Sequence, residues 1–291
     1  MTQSKQNRKW LIAAALCLLV AAAAAAVFLY VYFAPADADG VTGRIVVHFL
    51  DVGQGDCTVI ETPDGNILID AGTGKSKSTI KRCIDGLGIT EFAYAIFTHP
   101  HADHIGSAAA LVEAYPIDCI IMPDAVSTSE TYNALLTAIE QSDARVVEGK
   151  AGKQFTLGAL TIDLLAPCKA YNDLNNMSVV ARLTYGDGSF LFTGDAEALS
   201  EADMLAEGVP ACDILKVGHH GSSTSSSDAF IAAVLPQLAV VSVGEGNSYG
   251  HPHASTLERL AAYGAQVLRT DLCGNITVTC DGTQYIIETE K

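Results

Sequence analysis

Three histidines and one aspartate fall within six consecutive positions of a chain that contains only eight histidines. They are His99, His101, Asp103 and His104, in the stretch FTHPHADHIGS. Imidazole nitrogens and carboxylate oxygens are common ligands of zinc and similar divalent ions, and a catalytic site keeps one coordination position for water. We expect His99 and His101 to hold one ion, and Asp103 and His104 to reach a second ion nearby. A patch of surface histidines is the alternative interpretation.

The sequence around this cluster predicts the elements that position it. The upstream stretch FAYAIF, residues 92–97, is apolar and typical of a buried strand. Downstream, AAALVEAY begins at Ala108 and has the pattern of a helix. A regular helix or strand would spread the four side chains over several directions, whereas a tight loop can bring them together. We therefore expect the cluster at the C-terminal end of a strand, where open α/β sheets tend to build their sites.

Two longer stretches of the chain, together with the histidine cluster, narrow the protein family that the chain resembles. THPHADHIG matches the His-x-His-x-Asp-His motif of the metallo-β-lactamase superfamily. HFLDVGQGDCTVIETPDGNILIDAG (His48–Gly72) and DILKVGHHGSSTSSS (Asp213–Ser227) both resemble the hydrolase domain of ComEC-type competence proteins, which serve DNA uptake. The resemblance runs from about Arg44 to the end of the chain. It implies a domain of the α/β class, a metallo-β-lactamase-like αββα sandwich, with two divalent metal ions at the edge between its sheets.

The same resemblance assigns site residues beyond the cluster. It implies that Asp195, in FTGDAE, bridges the two ions, and that His219 and His220, in GHHGS, lie beside them. His251, in YGHPHAS, is expected as a final metal ligand or as a contact to the substrate. The implied metal ligands are His99, His101, Asp103, His104, Asp195 and His219. The implied catalytic residues are Asp103, His219 and His220.

A histidine that many members of the superfamily possess is missing from this chain. Members with a complete two-metal site carry it between the first motif and the bridging aspartate, whereas no histidine occurs from Ile105 to Gly218. The corresponding stretch reads NDLNNMSVVARLTYG, in which Asn176 and Ser178 are the polar candidates and are predicted to bind substrate. The ion of the first histidine pair should therefore bind less tightly, and manganese becomes plausible beside zinc.

Other polar residues near the motifs are expected to support the site. Asp70 ends a strand and could accept a hydrogen bond from a ligand histidine or brace the motif loop. Asp51, Gln54 and Asp56 lie in the Gly-rich turn DVGQGD, which should face the pocket and contact the substrate. The alternative for the aspartates is a local role, in which each side chain bonds amides of its own turn.

The rest of the sequence predicts a mixed α/β domain with two sheets between helices. Short apolar strands follow one another closely at first and alternate with helices later. The predicted strands are RIVVHFL, CTVIET, NILIDA, YAIFTH, DCIIMP, TIDLLAP, SVVARLTYG, SFLFTGD, DILKVG, LAVVSVG, AQVLRT, NITVTC and QYIIETE. The predicted helices are Ser76–Leu87, Ser107–Tyr115, Ser129–Gln141, Ala196–Glu207, Ser227–Val234 and His253–Tyr263. Seven cysteines follow position 36 without a Cys-x-x-Cys pair, and we interpret them as small buried apolar residues.

The N-terminal part of the chain predicts a membrane anchor. Residues 1–9 carry three basic side chains, residues 10–36 form an uncharged apolar run, and residues 37–43 have the composition of a linker to a domain at 44–291. A helix needs about 20 apolar residues to span a bilayer. Because basic flanks stay in the cytoplasm, we expect a single-pass protein of the cell membrane with its domain outside the cytoplasm. A cleaved signal peptide, and hence a secreted protein, is the alternative, since APA at 34–36 resembles a cleavage site.

The charge of the chain bears on its partners. The 33 acidic residues outnumber the 17 basic ones. Such a surface repels phosphates and gains little affinity from counterion release, which argues against a protein that coats DNA. We expect a metal-dependent hydrolase with a phosphodiester substrate, single-stranded DNA being the leading candidate by resemblance, and no predictable protein partner. The alternatives are a β-lactamase-type amide hydrolase and a non-catalytic binding module for DNA uptake.

Overall fold

Two β-sheets form the centre of the part of the chain that the computed structural model describes, residues 43–291. The strands of the first sheet are β1 (Ile45–Phe49), β2 (Thr58–Thr62), β3 (Gly65–Ile69), β4 (Phe92–Ile96), β5 (Ile117–Met122), β6 (Arg145–Glu148), β14 (Ile276–Cys280) and β15 (Tyr285–Thr289). The strands of the second sheet are β7 (Gln154–Leu157), β8 (Leu160–Ala166), β9 (Val180–Tyr185), β10 (Gly188–Phe192), β11 (Ile214–Lys216), β12 (Leu238–Val241) and β13 (Gln266–Arg269). The strand order is β15-β14-β1-β2-β3-β4-β5-β6 in the first sheet and β13-β12-β11-β10-β9-β8-β7 in the second.

Helices cover the outer face of each sheet. They are α1 (Lys77–Gly86), α2 (Ala102–Ile105), α3 (Ala108–Ala114), α4 (Glu130–Glu140), α5 (Ala198–Ala206), α6 (Asp228–Val234), α7 (Ala254–Ala262) and α8 (Thr270–Cys273). Ile84 of α1 and Leu135 of α4 belong to the apolar cluster on the first sheet. Met204 of α5 and Phe230 of α6 belong to the cluster on the second sheet. This layering confirms the predicted αββα sandwich.

A third apolar cluster fills the space between the two sheets. It joins Phe49 of β1 to Phe192 of β10, whose ring centroids lie 5.9 Å apart. Both side chains are buried, and full burial of a phenylalanine contributes about 1.5–3 kcal/mol. This core holds the sheets together and so fixes the edge at which residues from both of them meet.

The strands nearest that edge are parallel in both sheets. β3 pairs in parallel with β4, and β10 pairs in parallel with β11. Because the carboxyl ends of parallel strands lie at one edge of a sheet, the residues that follow these four strands gather there. They include Asp70 after β3, His99 after β4, Asp195 after β10 and His219 after β11.

All six predicted helices are present, with ends within two residues of the predicted ones. The sequence prediction omits the edge strands β6 and β7 and the short helices α2 and α8. The motif loop itself is partly helical, since α2 begins directly after His101. All seven cysteines of residues 43–291 are free and four of them are buried, in agreement with their interpretation as apolar core residues.

The predicted N-terminal features lie outside the described residues. They are the cytoplasmic segment 1–9, the apolar run 10–36 and all of the linker 37–43 except Gly43. Between residues 43 and 291, none of the helices combines the length and the hydropathy that a membrane span requires.

Candidate metal centre

One buried carboxylate holds the motif loop of the first sheet. Oδ1 of Asp70 accepts the Thr98 N–H at 2.8 Å, and Oδ2 accepts the Thr98 hydroxyl at 2.7 Å. The same Oδ2 accepts the Nδ1–H of His104 at 2.8 Å. Asp70 has a φ of 57°, a region that residues other than glycine seldom adopt. Because its Nδ1 is engaged, His104 is left to present Nε2 as its ligand atom.

The second sheet contributes Asp195 from the turn after β10. Its Oδ1 lies 3.1 Å from Nε2 of His104, and its Oδ2 lies 3.6 Å from Nε2 of both His99 and His219. Asp195 is buried, and its backbone N–H donates to the Ser178 hydroxyl at 3.0 Å. One carboxylate thus faces imidazole nitrogens with both of its oxygens, as a ligand that bridges two ions would.

His220 comes from the tight turn after β11 and meets the residues of the first sheet. Its Nδ1 donates to the Ser242 carbonyl at 3.0 Å, and its Nε2 lies 3.3 Å from Oδ2 of Asp103 and 3.9 Å from Oδ1 of Asp195. His220 is buried, whereas the side chain of His219 remains 23% exposed. The two histidines have φ values of 53° and 49°, so the turn places consecutive imidazoles on the same edge.

The donor atoms form two groups that share Asp195. We call His99, His101 and Asp195 the His99 group, and Asp103, His104, His220 and Asp195 the His104 group. In the first, Nε2 of His99 lies 2.9 Å from Nδ1 of His101. In the second, one ligand atom each from Asp103, His104 and His220 lie within 4.8 Å of one another.

Two buried atoms at the centre of these groups have no hydrogen-bond partner. They are Nε2 of His104 and Oδ1 of Asp195, which lie close together without the geometry of a hydrogen bond. An unsatisfied buried polar atom is costly, and a divalent ion bound to both atoms would remove that cost. Imidazoles and carboxylates also suit zinc and manganese. The residues present therefore fit divalent metal ions.

Charge in the site is balanced by protons when no metal is bound. Burial disfavours the charged form of His220, but the carboxylates of Asp195 and Asp56 outweigh it and raise the pKa of His220 to about 9. Burial of His104 is likewise outweighed, above all by Asp195, and its pKa lies well above the ordinary value. Burial and the neighbouring His104 hold the pKa of His99 well below its usual range. Metal ions and protons thus compete for the same nitrogens.

A cavity of about 320 Å³ opens over both groups. Its lining residues are Gln54, His101, Ala102, Asp103, Asn175, Asp195, His219, His220, Tyr249 and His251. A substrate in this cavity would touch side chains of both groups.

The sequence profile of the metallo-beta-lactamase superfamily matches residues 50–245, a range that includes both groups. The chain belongs to the metallo-β-lactamase superfamily. It is 30% identical over 251 residues to ComE operon protein 3 of Bacillus subtilis (strain 168), covering 79% of this chain and 32% of that protein. It is 31% identical over 228 residues to Competence protein ComA of Neisseria gonorrhoeae, covering 77% of this chain and 30% of that protein. The chain thus spans about a third of the length of these curated relatives.

A solved structure has the same metallo-β-lactamase fold. It is the metallo-beta-lactamase fold protein YhfI from Bacillus subtilis, with a TM-score of 0.57 and 12% sequence identity. The match covers 81% of this chain and 100% of that one. At this identity the likeness concerns the fold alone. The predicted superfamily and its relation to competence proteins are confirmed.

The three residues of the Gly-rich turn that were predicted to bind substrate lie in different surroundings in this metallo-β-lactamase domain. Gln54 lines the cavity, and its side-chain oxygen accepts the Gly244 N–H at 3.2 Å. Asp56 is buried, with Oδ1 3.2 Å from Nδ1 of His220, on the side of that ring away from Asp103. Oδ1 of Asp51 accepts the amide two residues later at 3.2 Å, and Asp51 does not line the cavity.

Asn176 and Ser178 lie in the stretch where the missing histidine was expected, and both are buried. The side-chain oxygen of Asn176 accepts the N–H groups of Glu197 at 3.2 Å and Ser200 at 2.9 Å, at the N-terminus of α5. The hydroxyl of Ser178 lies 3.3 Å from Nδ1 of His99 and also accepts the backbone N–H of the bridging aspartate. Asn176 thus stabilises a helix end, and Ser178 orients residues of the His99 group.

His251 lies beyond the range that the superfamily profile matches, but it lines the cavity. Its ring centroid is 5.5 Å from that of His219 and 6.3 Å from that of His220. Burial, and then these two histidines, lower the pKa of His251 to about 4. The ring is therefore neutral at physiological pH.

Two supporting residues were not recognised in the sequence. Lys216 is buried and forms an ion pair with Asp56. Its signal was available, because a lysine in the apolar strand DILKVG needs a buried partner. Glu197 lies with Oε1 3.2 Å from Nδ1 of His219. Nothing in its sequence surroundings distinguishes it from a solvent-exposed glutamate.

Proposed function

We propose that this superfamily member is a metal-dependent phosphodiesterase or nuclease. The observation that carries the proposal is the position of the Asp195 carboxylate, which has His104 on one oxygen and His99 and His219 on the other. The His99 group and the His104 group would each hold one divalent ion, zinc or manganese. When bound, such ions lower the pKa of a water nucleophile and polarise a phosphoryl oxygen.

The chain's own residues perform the rest of the proposed reaction. Asp70 holds the Nδ1–H of His104, and the Ser242 carbonyl holds that of His220, so both rings offer Nε2 to the site. His219 is partly exposed at the cavity, and Glu197 lies at its Nδ1. We therefore assign His219 the transfer of a proton to the leaving oxygen.

The proposed substrate is a phosphodiester, and single-stranded DNA is our first candidate. Support comes from the relatives, two of which carry names that refer to competence or to a com operon. Those proteins are about three times longer than the matched segment, so their whole activity is not carried over. The acidic chain offers little general attraction to a polyanion, which leaves the metal centre as the site of phosphate binding.

We also propose that residues 10–36 anchor the chain in the cell membrane and that domain 44–291 lies outside the cytoplasm. The support is the uncharged apolar run with basic residues only on its N-terminal side. Alkaline phosphatase fused after Gly43 should be active in a bacterial host. Activity of a cytoplasmic reporter fused at the same position would contradict this topology.

Hydrolysis of bis(p-nitrophenyl) phosphate tests the proposed activity. We expect turnover by the purified chain only with added Mn²⁺ or Zn²⁺, and none after chelation. Asp195→Asn should abolish it, whereas Asp187→Asn, an exposed carboxylate in the turn between β9 and β10, should leave it unchanged. A rate that survives chelation would refute the mechanism. Faster hydrolysis of a chromogenic cephalosporin would favour the β-lactamase alternative.

A further inference from the structure

The loop from Gly244 to His253 carries an exposed aromatic residue to the rim of the metal centre. Tyr249 lines the cavity, yet 64% of its surface is exposed. Its ring lies over that of His251, with centroids 5.7 Å apart and an interplanar angle of 24°. Among residues 43–291, His251 supplies the one ring that stacks on Tyr249. Because one face is stacked on His251 and 64% of the residue is exposed, the tyrosine has surface left for a ligand.

The side chain of Asn247 makes four hydrogen bonds to the backbone of this loop. Oδ1 of Asn247 accepts the N–H groups of Tyr249 at 3.2 Å and His251 at 3.0 Å. Its Nδ2 donates to the carbonyls of Gly244 at 3.0 Å and His251 at 2.6 Å. Since the backbone on both sides of Tyr249 is tied to Asn247, ordering the ring for a ligand costs little conformational entropy.

The rings of His220, His251 and Tyr249 form a series that leads from the metal centre to the rim of the cavity. The ring of His220, in the His104 group, lies 6.3 Å from that of His251 with an interplanar angle of 33°. The ring of His251 in turn lies 5.7 Å from that of Tyr249, with an interplanar angle of 24°. A planar group on the outer face of Tyr249 would continue this series, next to a phosphate bound at the metal centre.

The walls of the cavity restrict what can bind beside that phosphate. None of the described residues that line it is a lysine or an arginine. Phosphates that flank the reacting one therefore gain no cationic partner from these walls. What the rim does offer is a neutral aromatic face, and nucleobases stack on such faces with little dependence on sequence.

We propose that Tyr249, backed by His251, is a base-stacking subsite for the nucleotide next to the reacting phosphodiester. The enzyme then selects diesters that carry a nucleobase over diesters of simple alcohols. This inference rests on the proposed phosphodiesterase activity and names the substrate class of that site.

The test uses the full chain in detergent with Mn²⁺ and two substrates of equal charge. One is a four-residue thymidine strand, and the other is the same strand with tetrahydrofuran in place of each nucleoside sugar and base. Tyr249→Leu should lower kcat/KM for the thymidine strand roughly 5- to 100-fold, mainly through KM, because stacking is lost. It should leave the abasic strand almost unaffected. Tyr249→Phe should behave like the native chain, and so should Tyr263→Leu, a change at a 38% exposed tyrosine just after α7.

Two kinetic outcomes would overturn the subsite. One is an equal loss on both strands with Tyr249→Leu, which would mean that the tyrosine serves the fold; the other is no loss on either. If the native chain cleaves neither strand, the phosphodiesterase proposal fails. The subsite is then decided by equilibrium binding of fluorescein-labelled thymidine and abasic strands with phosphorothioate linkages. Preference for the thymidine strand that disappears in Tyr249→Leu would support it, and equal binding would reject it.

Discussion

Nζ of Lys216 lies 2.6 Å from Oδ2 of Asp56, and both side chains are almost completely buried. The other oxygen of Asp56 lies 3.2 Å from Nδ1 of His220, whose Nε2 faces Asp103 in the His104 group. The lysine does not line the cavity. It therefore acts on the metal centre through Asp56, by holding in place the carboxylate that lies beside Nδ1 of His220.

Replacing Lys216 by methionine should be strongly destabilising, because it leaves the Asp56 carboxylate buried without a counter-ion. Breaking one side of a buried ion pair costs about 3–5 kcal/mol of unfolding free energy. The double variant Lys216→Met with Asp56→Asn should recover much of that loss. Chemical denaturation of the metal-free protein measures the unfolding free energy of the single and the double variant.

The matched control for this pair is Lys150→Met. Lys150 pairs with Glu148 at 2.8 Å, but their side chains are 52% and 42% exposed, and such surface pairs contribute about 0–1 kcal/mol. Equal losses for Lys216→Met and Lys150→Met, or a double variant no better than the single one, would contradict a buried pair.

A second prediction concerns pH. The pKa of His220 is about 9 in the metal-free fold, against about 6.5 when unfolded. The folded form holds the proton more tightly, so this stabilisation is complete below pH 6.5 and disappears as pH rises through 9. The unfolding free energy of the metal-free protein should therefore fall over this range, by at most about 1.4 kcal/mol per pH unit for one such histidine.

Metal affinity should change in the opposite direction over the same range. A divalent ion binds neutral imidazole, so the ion of the His104 group must displace protons from His220 and His104 below their pKa values. Calorimetric titration in buffers of different ionisation enthalpy should detect proton release that decreases towards pH 9. An affinity independent of pH between 6.5 and 9 would show that these nitrogens are not metal ligands.

A third prediction is that two ions bind with unequal affinity. The His104 group offers four protein ligands, including the shared Asp195, whereas the His99 group offers three. Loss of a residue that only hydrogen-bonds a metal ligand costs roughly 10–100-fold in affinity, and the lack of a ligand itself should cost at least as much. Titration of the metal-free protein should give one tight and one weak site, and Asp195→Asn should weaken both. Two equally tight sites would contradict this difference between the groups.

A fourth prediction is that Asn176 stabilises the fold and does not bind metal or substrate. Its amide caps α5 by accepting the N–H groups of Glu197 and Ser200, so Asn176→Ala should lower the unfolding free energy by about 1 kcal/mol. Metal content and KM should stay at native values. The contrasting variant is Ser178→Ala, which removes the hydroxyl between His99 and Asp195 and should weaken the weaker metal site. A raised KM in Asn176→Ala with unchanged stability would restore its predicted role in substrate binding.

The elements that carry the site were predictable because their apolar patterns are long and regular. The strands β6 and β7 were not, since they are short sheet edges, and three of the four residues of Arg145–Glu148 are exposed. An edge strand of this kind carries little of the alternation that identifies buried strands.

In the site, too, some features could be predicted from the spacing of residues, whereas others depend on backbone geometry that the sequence does not reveal. Four of the proposed ligands come from one short motif, so their proximity followed from their spacing in the chain. The separate roles of His219 and His220 depend on left-handed backbone at both positions, for which neighbouring residues give no signal. The sequence could therefore predict that both histidines lie at the metal centre. It could not predict that His220 faces Asp103 and that His219 faces Glu197.

The position of β1 between β2 and β14 has a consequence for biosynthesis. Ile45 lies opposite Cys280, so the first of the strands described here pairs with the last but one. The larger sheet cannot close until β14 has left the ribosome, and pairing at such separation is slow. Until then the edge of β1 that pairs with β14 stays unpaired during synthesis. Loss of the final two strands would leave β1 as an open edge, able to pair with another molecule and aggregate.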